Sequence, residues 1–493
     1  MSSFFSIDSI SSIKSLRDGA RIHLVAISGV AMAQLGLHLV KEGYLVSGSD
    51  KEFYPPMGLL LKEAEIKLYQ GYSSTNIGND VELVIIGNAV TSDNPEVVEV
   101  ERRNLAYSIF PLALAETVID DRHSIVVTGT HGKSTTSALS AWSLDRLGQH
   151  PSFFIGGVVK GFNSSFTVDN LGKVSVVEGD EYHSAFLARV PKFLFYKAQT
   201  AIITSIEYDH ADVYPNLESI KDEFNKLVEQ LSQREEKGEA KGNLVVCIDD
   251  PTLKDLVNKW RSKLTLTVIT YGKSDQADFV LLDAVDELEQ QKITFRDPSG
   301  ALHSFILPIP GIYNALNALA AGIAISKTGI SFNDALSALK DFQGVKRRQE
   351  LRAQSRGSLL IEDFAHHPTA VSETIAGIRK RYPKHRLVAI FEPRSASSRK
   401  KVFQHDYIKA FQGADRVIIA KPAVRGNEGE LIDIPTLVEE LKILGADAHC
   451  FEDSEKIFQF LINNTKSGDL LLVMSNGSFD GLIDKLEQFI SVS

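Results

Sequence analysis

Ser124-Ile125-Val126-Val127-Thr128-Gly129-Thr130-His131-Gly132-Lys133-Ser134-Thr135 reads as a buried strand that breaks at a glycine and restarts as a helix. Ile125, Val126 and Val127 are β-branched and apolar, as suits a strand covered on both faces of a parallel sheet. Gly129 and Gly132 let the loop's backbone N–H groups converge on an anion at the start of the following helix. Lys133 can then reach terminal phosphates as a point charge, and the Ser134 hydroxyl is placed to bind Mg²⁺. The spacing is GxxGKS; the longer phosphate-loop motif needs glycine at position 127, where this chain has Val127. The expectation is an ATP site on Gly129, Thr130, His131, Gly132, Lys133, Ser134 and Thr135, inside an α/β domain.

Working outward, two more apolar runs end in acidic residues. Val174 to Val177 leads into Glu178 and Asp180-Glu181, and Ala201 to Ile203 leads towards Glu207 and Asp209-His210. Strand ends of a parallel sheet cluster beside a phosphate loop. Carboxylates there suit Mg²⁺, and a histidine could bind a second ion. The same residues would also serve as helix caps and solvated turns.

The flanks repeat the α/β pattern. Arg21 to Ile27, a glycine turn, a helical stretch from about Ala31 to Glu42 and a strand into Ser47-Gly48-Ser49-Asp50 make a βαβ opening, followed by a strand at Leu83 to Ile86. Gln233 to Gly242 is a charged surface connection. Ala277 to Pro308 alternates about a turn at Asp297-Pro298-Ser299-Gly300, and a long apolar helix starts after Gly311. Beyond Gly344, strands at 359–361, 387–390, 417–419 and 470–473 alternate with helices. The reading is a three-domain α/β protein. A Rossmann-like N-terminal domain (21–121) follows an extension (1–20) read as frayed. A central P-loop ATPase domain (122–343) has a mainly parallel sheet plus a small antiparallel sheet, and a Rossmann-like C-terminal domain (344–493) completes the chain.

Composition narrows the function classes. The 493 residues carry a formal net charge of -10 without a long basic run, which disfavours nucleic acid. Two cysteines, Cys247 and Cys450, allow no disulfide framework. The first residues lack the apolar core of a signal peptide, and no segment reaches the ~18 apolar residues of a membrane span. A cytoplasmic protein without membrane insertion is expected.

The stretches GTHGKST (129–135), EGDEYHSAF (178–186) and IEYDHAD (206–212) resemble the ATP-binding core of the muramyl ligases of peptidoglycan synthesis. The resemblance extends over nearly the whole chain after Ala20, through SGSDKEFYPPM (47–57), VIIGNAV (84–90), EDFAHHPTA (362–370), EPRS (392–395) and VMSNGSFDG (473–481). Within the family, Tyr54-Pro55-Pro56-Met57 and Glu392-Pro393-Arg394-Ser395 tilt the match towards the tripeptide-adding ligases of cell-wall recycling over the L-alanine-adding ones.

The resemblance implies that ATP phosphorylates the lactyl carboxylate of UDP-N-acetylmuramate. The free amine of the murein tripeptide L-alanyl-γ-D-glutamyl-meso-diaminopimelate then attacks the acyl phosphate. By similarity, Lys133 and Mg²⁺ neutralise the γ-phosphate, Ser134 and Glu178 hold the first Mg²⁺, and His210 holds the second. Asn314 and Asn317, in Gly311-Ile312-Tyr313-Asn314-Ala315-Leu316-Asn317, would meet the adenine; their spacing puts both on one helical face, and Tyr313 stands where the family has histidine. Arg348, with Arg347 as its neighbour, would reach the transferring phosphate from the third domain. Asp363 would contact the ribose and His366 the reacting centre, beside Glu362 in place of aspartate. Arg394 would pair with a peptide carboxylate.

Ser28, Gly29, Val30, Ser49, Asp50 and Asn88 would bind the UDP-sugar, with Ala26 replacing the family's first glycine. Ser205 stands where the family usually has asparagine. No lysine is assigned as the family's metal-bridging modified residue. A monomer or homodimer is expected. The alternatives are an L-alanine-adding ligase and a non-catalytic nucleotide-binding regulator. An NAD-dependent oxidoreductase is opposed by Lys133 and Ser134 in the loop and by the incomplete G-x-G-x-x-G turn.

Overall fold

The computed structural model describes residues 4–211, 213–287, 290–422 and 430–492. The first sheet is parallel throughout, in the order Lys67–Gln70, Leu45–Asp50, Arg21–Val25, Leu83–Ile86, Tyr107–Ile109. Its central strands are apolar because both faces are covered: Leu24, Leu83, Val84, Ile85 and Ile86 are buried. Residues 4–20, expected to fray, are instead packed. Phe4 and Phe5 lie against the Tyr107 ring, Ser6 N–H donates to the Tyr107 hydroxyl at 3.0 Å, and Ile13 N–H donates to Glu116 Oε2 at 2.7 Å. The regular apolar residues Phe4, Phe5, Ile10 and Ile13 give this stretch a face to bury.

Among the described residues the central sheet has ten strands, ordered Leu302–Leu307, Gln290–Arg296, Phe279–Glu287, Thr267–Gly272, Asn243–Cys247, Thr200–Ile203, His123–Thr128, Val174–Glu178, Ser152–Val159, Ser164–Thr167. The seven from Phe279–Glu287 to Ser152–Val159 pair in parallel. The alternating segment after Ala277 forms one antiparallel edge of this same sheet, closed by the turn at Asp297, whose carboxylate accepts from Ser299 N–H at 2.8 Å; Ser164–Thr167 pairs antiparallel at the other edge. The phosphate-loop strand His123–Thr128 therefore sits inside the sheet, with the acidic strand ends of Val174–Glu178 and Thr200–Ile203 on either side.

Two buried helices back the loop. Lys133–Arg146 and Ile312–Ser326 are rich in Ala and Ser on their contacting faces, so their backbones approach closely. The linker after Phe342 is pinned to the strand Ser152–Val159: Lys346 N–H donates to Val158 O at 2.9 Å and Lys160 N–H to Gly344 O at 3.0 Å. The third sheet runs Glu350–Ser355, Ser358–Asp363, Asp469–Met474, Arg386–Phe391, Arg416–Ala420, Asp447–Phe451, antiparallel only at its first pair. Among the described residues no helix is long and apolar enough to cross a membrane.

Candidate active site

The glycine loop has the backbone its sequence requires. Gly129 has φ +124° and Gly132 φ +81°, conformations that a side chain strains. A Cβ on Gly129 would come within 2.9 Å of Ser205 N, and one on Gly132 within 2.7 Å of Asn317 Oδ1. The second contact brings the adenine candidate Asn317 against the phosphate loop. Asn314 lies one turn earlier, donating to Pro310 O at 2.5 Å.

Lys133 Nζ donates to Gly129 O at 2.7 Å and to Glu181 Oε2 at 2.7 Å. Burial opposes its charge, but facing Glu181 and Asp180 it is held above the ordinary lysine range. Ser134 Oγ donates to Glu178 Oε1 at 2.8 Å, and Gly156 N–H donates to the other oxygen at 2.6 Å. Burial raises the Glu178 carboxyl, with Asp180 adding repulsion. Glu181 is also buried, yet Lys133 and His210 keep it below the usual carboxylate range. His210 Nε2 lies 3.1 Å from Glu181 Oε1. Burial works against its protonation, but the Glu181 hydrogen bond and charge raise it to about 9.

The ligand atoms of Glu181, Asp209 and His210 lie within 4.8 Å of one another. His210 takes a strained φ of +52°, and its N–H donates to Asp209 Oδ1 at 2.6 Å and to Ser397 Oγ of the third domain at 2.9 Å.

The third domain closes the site from the other side. Arg348 Nη2 is 3.3 Å from Ser134 Oγ, to which it donates, and its guanidinium lies 4.8 Å from the Phe364 ring centre. Its two neighbours have left-handed backbone, φ +61° at Arg347 and +46° at Gln349. Arg347 points away, binding Glu362 Oε1 at 2.7 Å and the carbonyls of Ser475 and Gly477. Of the two arginines, Arg348 alone faces the loop.

Asp363 accepts from Gln349 N–H at 2.8 Å and Ala365 N–H at 2.7 Å, and burial raises its carboxyl. Gln349 also donates to the Tyr313 hydroxyl, so the residue that departs from the family pattern joins the central and third domains. His366 Nδ1 is 3.1 Å from Phe364 O, and burial lowers its pKa. Arg394 meets Glu392 at 3.3 Å and covers Gly477.

In the first domain, Asp50 organises the turn at 27–30. Its carboxylate accepts from Ser28 N–H at 2.8 Å and Lys51 N–H at 2.7 Å. Gly29 and Val30 are exposed at the helix start, and Asn88 donates to His183 O at 3.1 Å, linking this domain to the central one. Ser49, also expected at the UDP-sugar site, has its side chain turned inward. It is fully buried and donates to Glu96 Oε2 at 2.5 Å, because alternation along Leu45–Asp50 turns it to the face that receives the helix Pro95–Arg103.

Glu181 and Glu207, two of the strand-end carboxylates suited to Mg²⁺, also stand at this site, together with His367 and Thr369, for which no role was expected. Glu207 accepts from Thr369 Oγ1 at 2.6 Å and lies 3.5 Å from both His131 and His367. Burial opposes its charge, but the His131 contact lowers Glu207 to about 2. Burial and the neighbouring His131 lower His367 to about 4. A signal for these residues was present, since all four lie within the stretches EGDEYHSAF, IEYDHAD and EDFAHHPTA, but pairing across domains is not written in spacing.

Three family descriptions match the chain in order: Mur ligase family, catalytic domain, at residues 21–122; Mur ligase middle domain at 127–325; and Mur ligase, glutamate ligase domain at 347–477. The UDP-N-acetylmuramate–L-alanyl-γ-D-glutamyl-meso-2,6-diaminoheptandioate ligase of Escherichia coli (strain K12) is 33% identical over 94% of this chain and 97% of its own. The UDP-N-acetylmuramate–L-alanine ligase of Carboxydothermus hydrogenoformans is 30% identical over 96% of this chain and 97% of its own. The crystal structure of a murein peptide ligase from Psychrobacter arcticus superposes with a TM-score of 0.68 at 29% identity, covering 96% of this chain and 99% of that one.

Proposed function

Since the chain belongs to the Mur ligase family of ATP-dependent amide ligases, we propose that it joins L-alanyl-γ-D-glutamyl-meso-diaminopimelate to UDP-N-acetylmuramate in peptidoglycan recycling. The observation that carries the reading is the meeting of Ser134 on the phosphate loop with Arg348 from the third domain, 3.3 Å apart beside Lys133. Two cations and a hydroxyl from separate domains converge where a γ-phosphate on this loop would lie. Phosphoryl transfer needs chiefly such positioning and charge neutralisation.

In the proposed reaction a lactyl carboxylate oxygen bonds to the γ-phosphorus and the bond to ADP breaks. The peptide amine then bonds to the acyl carbon, phosphate leaves, and the amine loses a proton. Lys133 and Arg348 would hold the transferring phosphoryl oxygens, and Asn314 and Asn317 the adenine. The donor set also fits Mg²⁺. Ser134 Oγ and Glu178 Oε1 are 2.8 Å apart, and the buried, oxygen-rich trio Glu181, Asp209 and His210 has its ligand atoms within 4.8 Å. Such an ion would supply charge neutralisation at the phosphate oxygens. The tripeptide as amine donor is supported by the 33% identity to the E. coli ligase across nearly the full length.

The test is ADP release from purified protein with UDP-N-acetylmuramate and one amine at a time. Turnover with the tripeptide and none with L-alanine supports the reading. Turnover with L-alanine alone moves the chain to the L-alanine-adding ligases, a reading favoured by the 30% identity to that relative. Nucleotide binding without turnover on either amine leaves a regulator.

A further inference from the structure

A second trio of side chains faces inward at the boundary between the central and third domains. His131 extends from the phosphate loop, Glu207 follows the strand Thr200–Ile203, and His367 precedes the helix Pro368–Arg381. Their ligand atoms lie within 4.8 Å of one another. His131 Nε2 and His367 Nδ1 are each 3.5 Å from Glu207 Oε2, and the two rings are 4.9 Å apart. Both nitrogens are buried without a hydrogen-bond partner, and His367 is only 5% exposed. Buried polar atoms are rarely left so.

The tautomer of His367 makes this arrangement informative. Its Nε2 lies 3.3 Å from Tyr208 O, which can only accept, so Nε2 carries the proton. Nδ1 is then a lone pair aimed at a carboxylate oxygen. Two acceptors facing each other repel unless a cation lies between them. The spacing favours a metal ion: an N–H···O bond is ~2.7–3.2 Å long, whereas ligands ~2.0–2.2 Å from a tetrahedral zinc ion stand ~3.3–3.6 Å apart.

We propose that His131, Glu207 and His367 form a site for one divalent transition-metal ion of the zinc class, binding the central domain to the third. Two imidazoles and one carboxylate suit zinc or cobalt better than magnesium, which prefers oxygen ligands. Tyr208 O fixes the His367 ring, and Thr369 Oγ1 donates to Glu207 Oε2 at 2.6 Å, the outer contacts that orient metal ligands. His131 and Glu207 come from the central domain and His367 from the third, so the ion binds only when the domains meet. This site is separate from the trio of Glu181, Asp209 and His210.

The test uses the full chain, titrated with Co²⁺ in excess Mg²⁺ and followed by visible absorption. One equivalent of Co²⁺ should develop intense tetrahedral d–d bands that Zn²⁺ then bleaches. His367→Gln and Glu207→Gln should each weaken Co²⁺ binding more than about tenfold, the lower bound for losing even an outer-shell partner. Glu178→Gln should leave the bands unchanged. Absent bands in the unmodified protein, or bands retained at full affinity in both trio variants, overturn the proposal, the first outcome leaving His131 and Glu207 as a proton-linked pair. X-ray absorption of the zinc-loaded unmodified protein decides independently of any folding defect. Two imidazole ligands support the site, and fewer refute it.

Discussion

Replacing Lys133 by Met should have two separable effects. The Lys133 side chain is 12% exposed and Glu181, its partner at 2.7 Å, 2% exposed. Removing one member of a buried ion pair costs ~3–5 kcal/mol because the other charge is left uncompensated. His210 still lies 3.1 Å from Glu181, so the expected loss is near the lower end, about 3 kcal/mol. Turnover should fall ~10²–10³-fold, the usual effect of removing one stabilising group aimed at developing charge. Lys133→Met with Glu181→Gln should recover most of the stability and none of the turnover.

The chain's two tryptophans, Trp142 and Trp260, are both buried in the central domain, so their fluorescence during urea unfolding reports that domain alone. UDP-sugar affinity, measured by calorimetry, should be unchanged because the first domain is untouched. Turnover within tenfold of the unmodified protein would refute the phosphate role. Equal urea midpoints for the single and double variants would refute the ion-pair energetics.

The two adjacent arginines should separate by function: Arg348→Ala should lower kcat by ~10²–10³-fold, whereas Arg347→Ala, by removing a partner of buried Glu362, should cost ~1–3 kcal/mol of third-domain stability. Turnover kinetics and hydrogen exchange along Ser358–Asp363 check the pair. Ala26 holds φ +65°, so Ala26→Gly should relieve ~1 kcal/mol of backbone strain and raise the thermal midpoint of the first domain, where Ala26→Val should lower it. His123 begins the loop strand, 2.9 Å from Thr200 Oγ1, and burial lowers its pKa to about 4. The unfolded chain takes a proton near pH 6.5 that the folded chain refuses until about pH 4, so this contribution is full above pH 6.5 and is lost as pH falls towards 4. Discounted for partial exposure, His123→Gln should narrow the stability gap to the unmodified protein by about 2 kcal/mol between pH 7.5 and 4.5, read by tryptophan fluorescence in urea.

How much was legible depended on burial and on glycine. Leu83–Ile86 and Thr200–Ile203 stand where their apolar runs placed them, because strands covered on both faces leave a continuous hydrophobic signal. Ser152–Val159 was not legible, since Gly156-Gly157 interrupts its apolar pattern. The structure explains the interruption: a Cβ on Gly156 would lie 3.0 Å from both Glu178 oxygens, so the glycine admits the carboxylate that Ser134 meets. At the site, the loop and the acidic strand ends were readable because parallel-sheet topology puts them together. The pairing of Lys133 with Glu181, 48 residues away, depends on how the chain turns after Glu178, which no local pattern encodes. The partner of Ser49 was hidden for a related reason: its strand parity was readable, but Glu96 on that face comes from a helix beyond the next two strands.

The same residues that carry the proposed chemistry also hold the central and third domains together. Ser134 meets Arg348, the His210 N–H meets Ser397, Glu207 meets Thr369, and Tyr313 meets Gln349. Each is a polar contact worth ~0.5–1.5 kcal/mol net, up to ~3 kcal/mol with a charged partner. Together they make a contact of several kcal/mol, weak enough for the domains to part and rejoin in the proposed cycle. In the proposed mechanism neither domain alone completes the set: Ser134 lies on the central domain and Arg348, 3.3 Å from it, on the third. On that mechanism, closure and assembly of the reactive centre are one event. The strained backbone at Arg347, Gln349 and His210 falls at that joint, as expected where positioning for chemistry outweighs local stability.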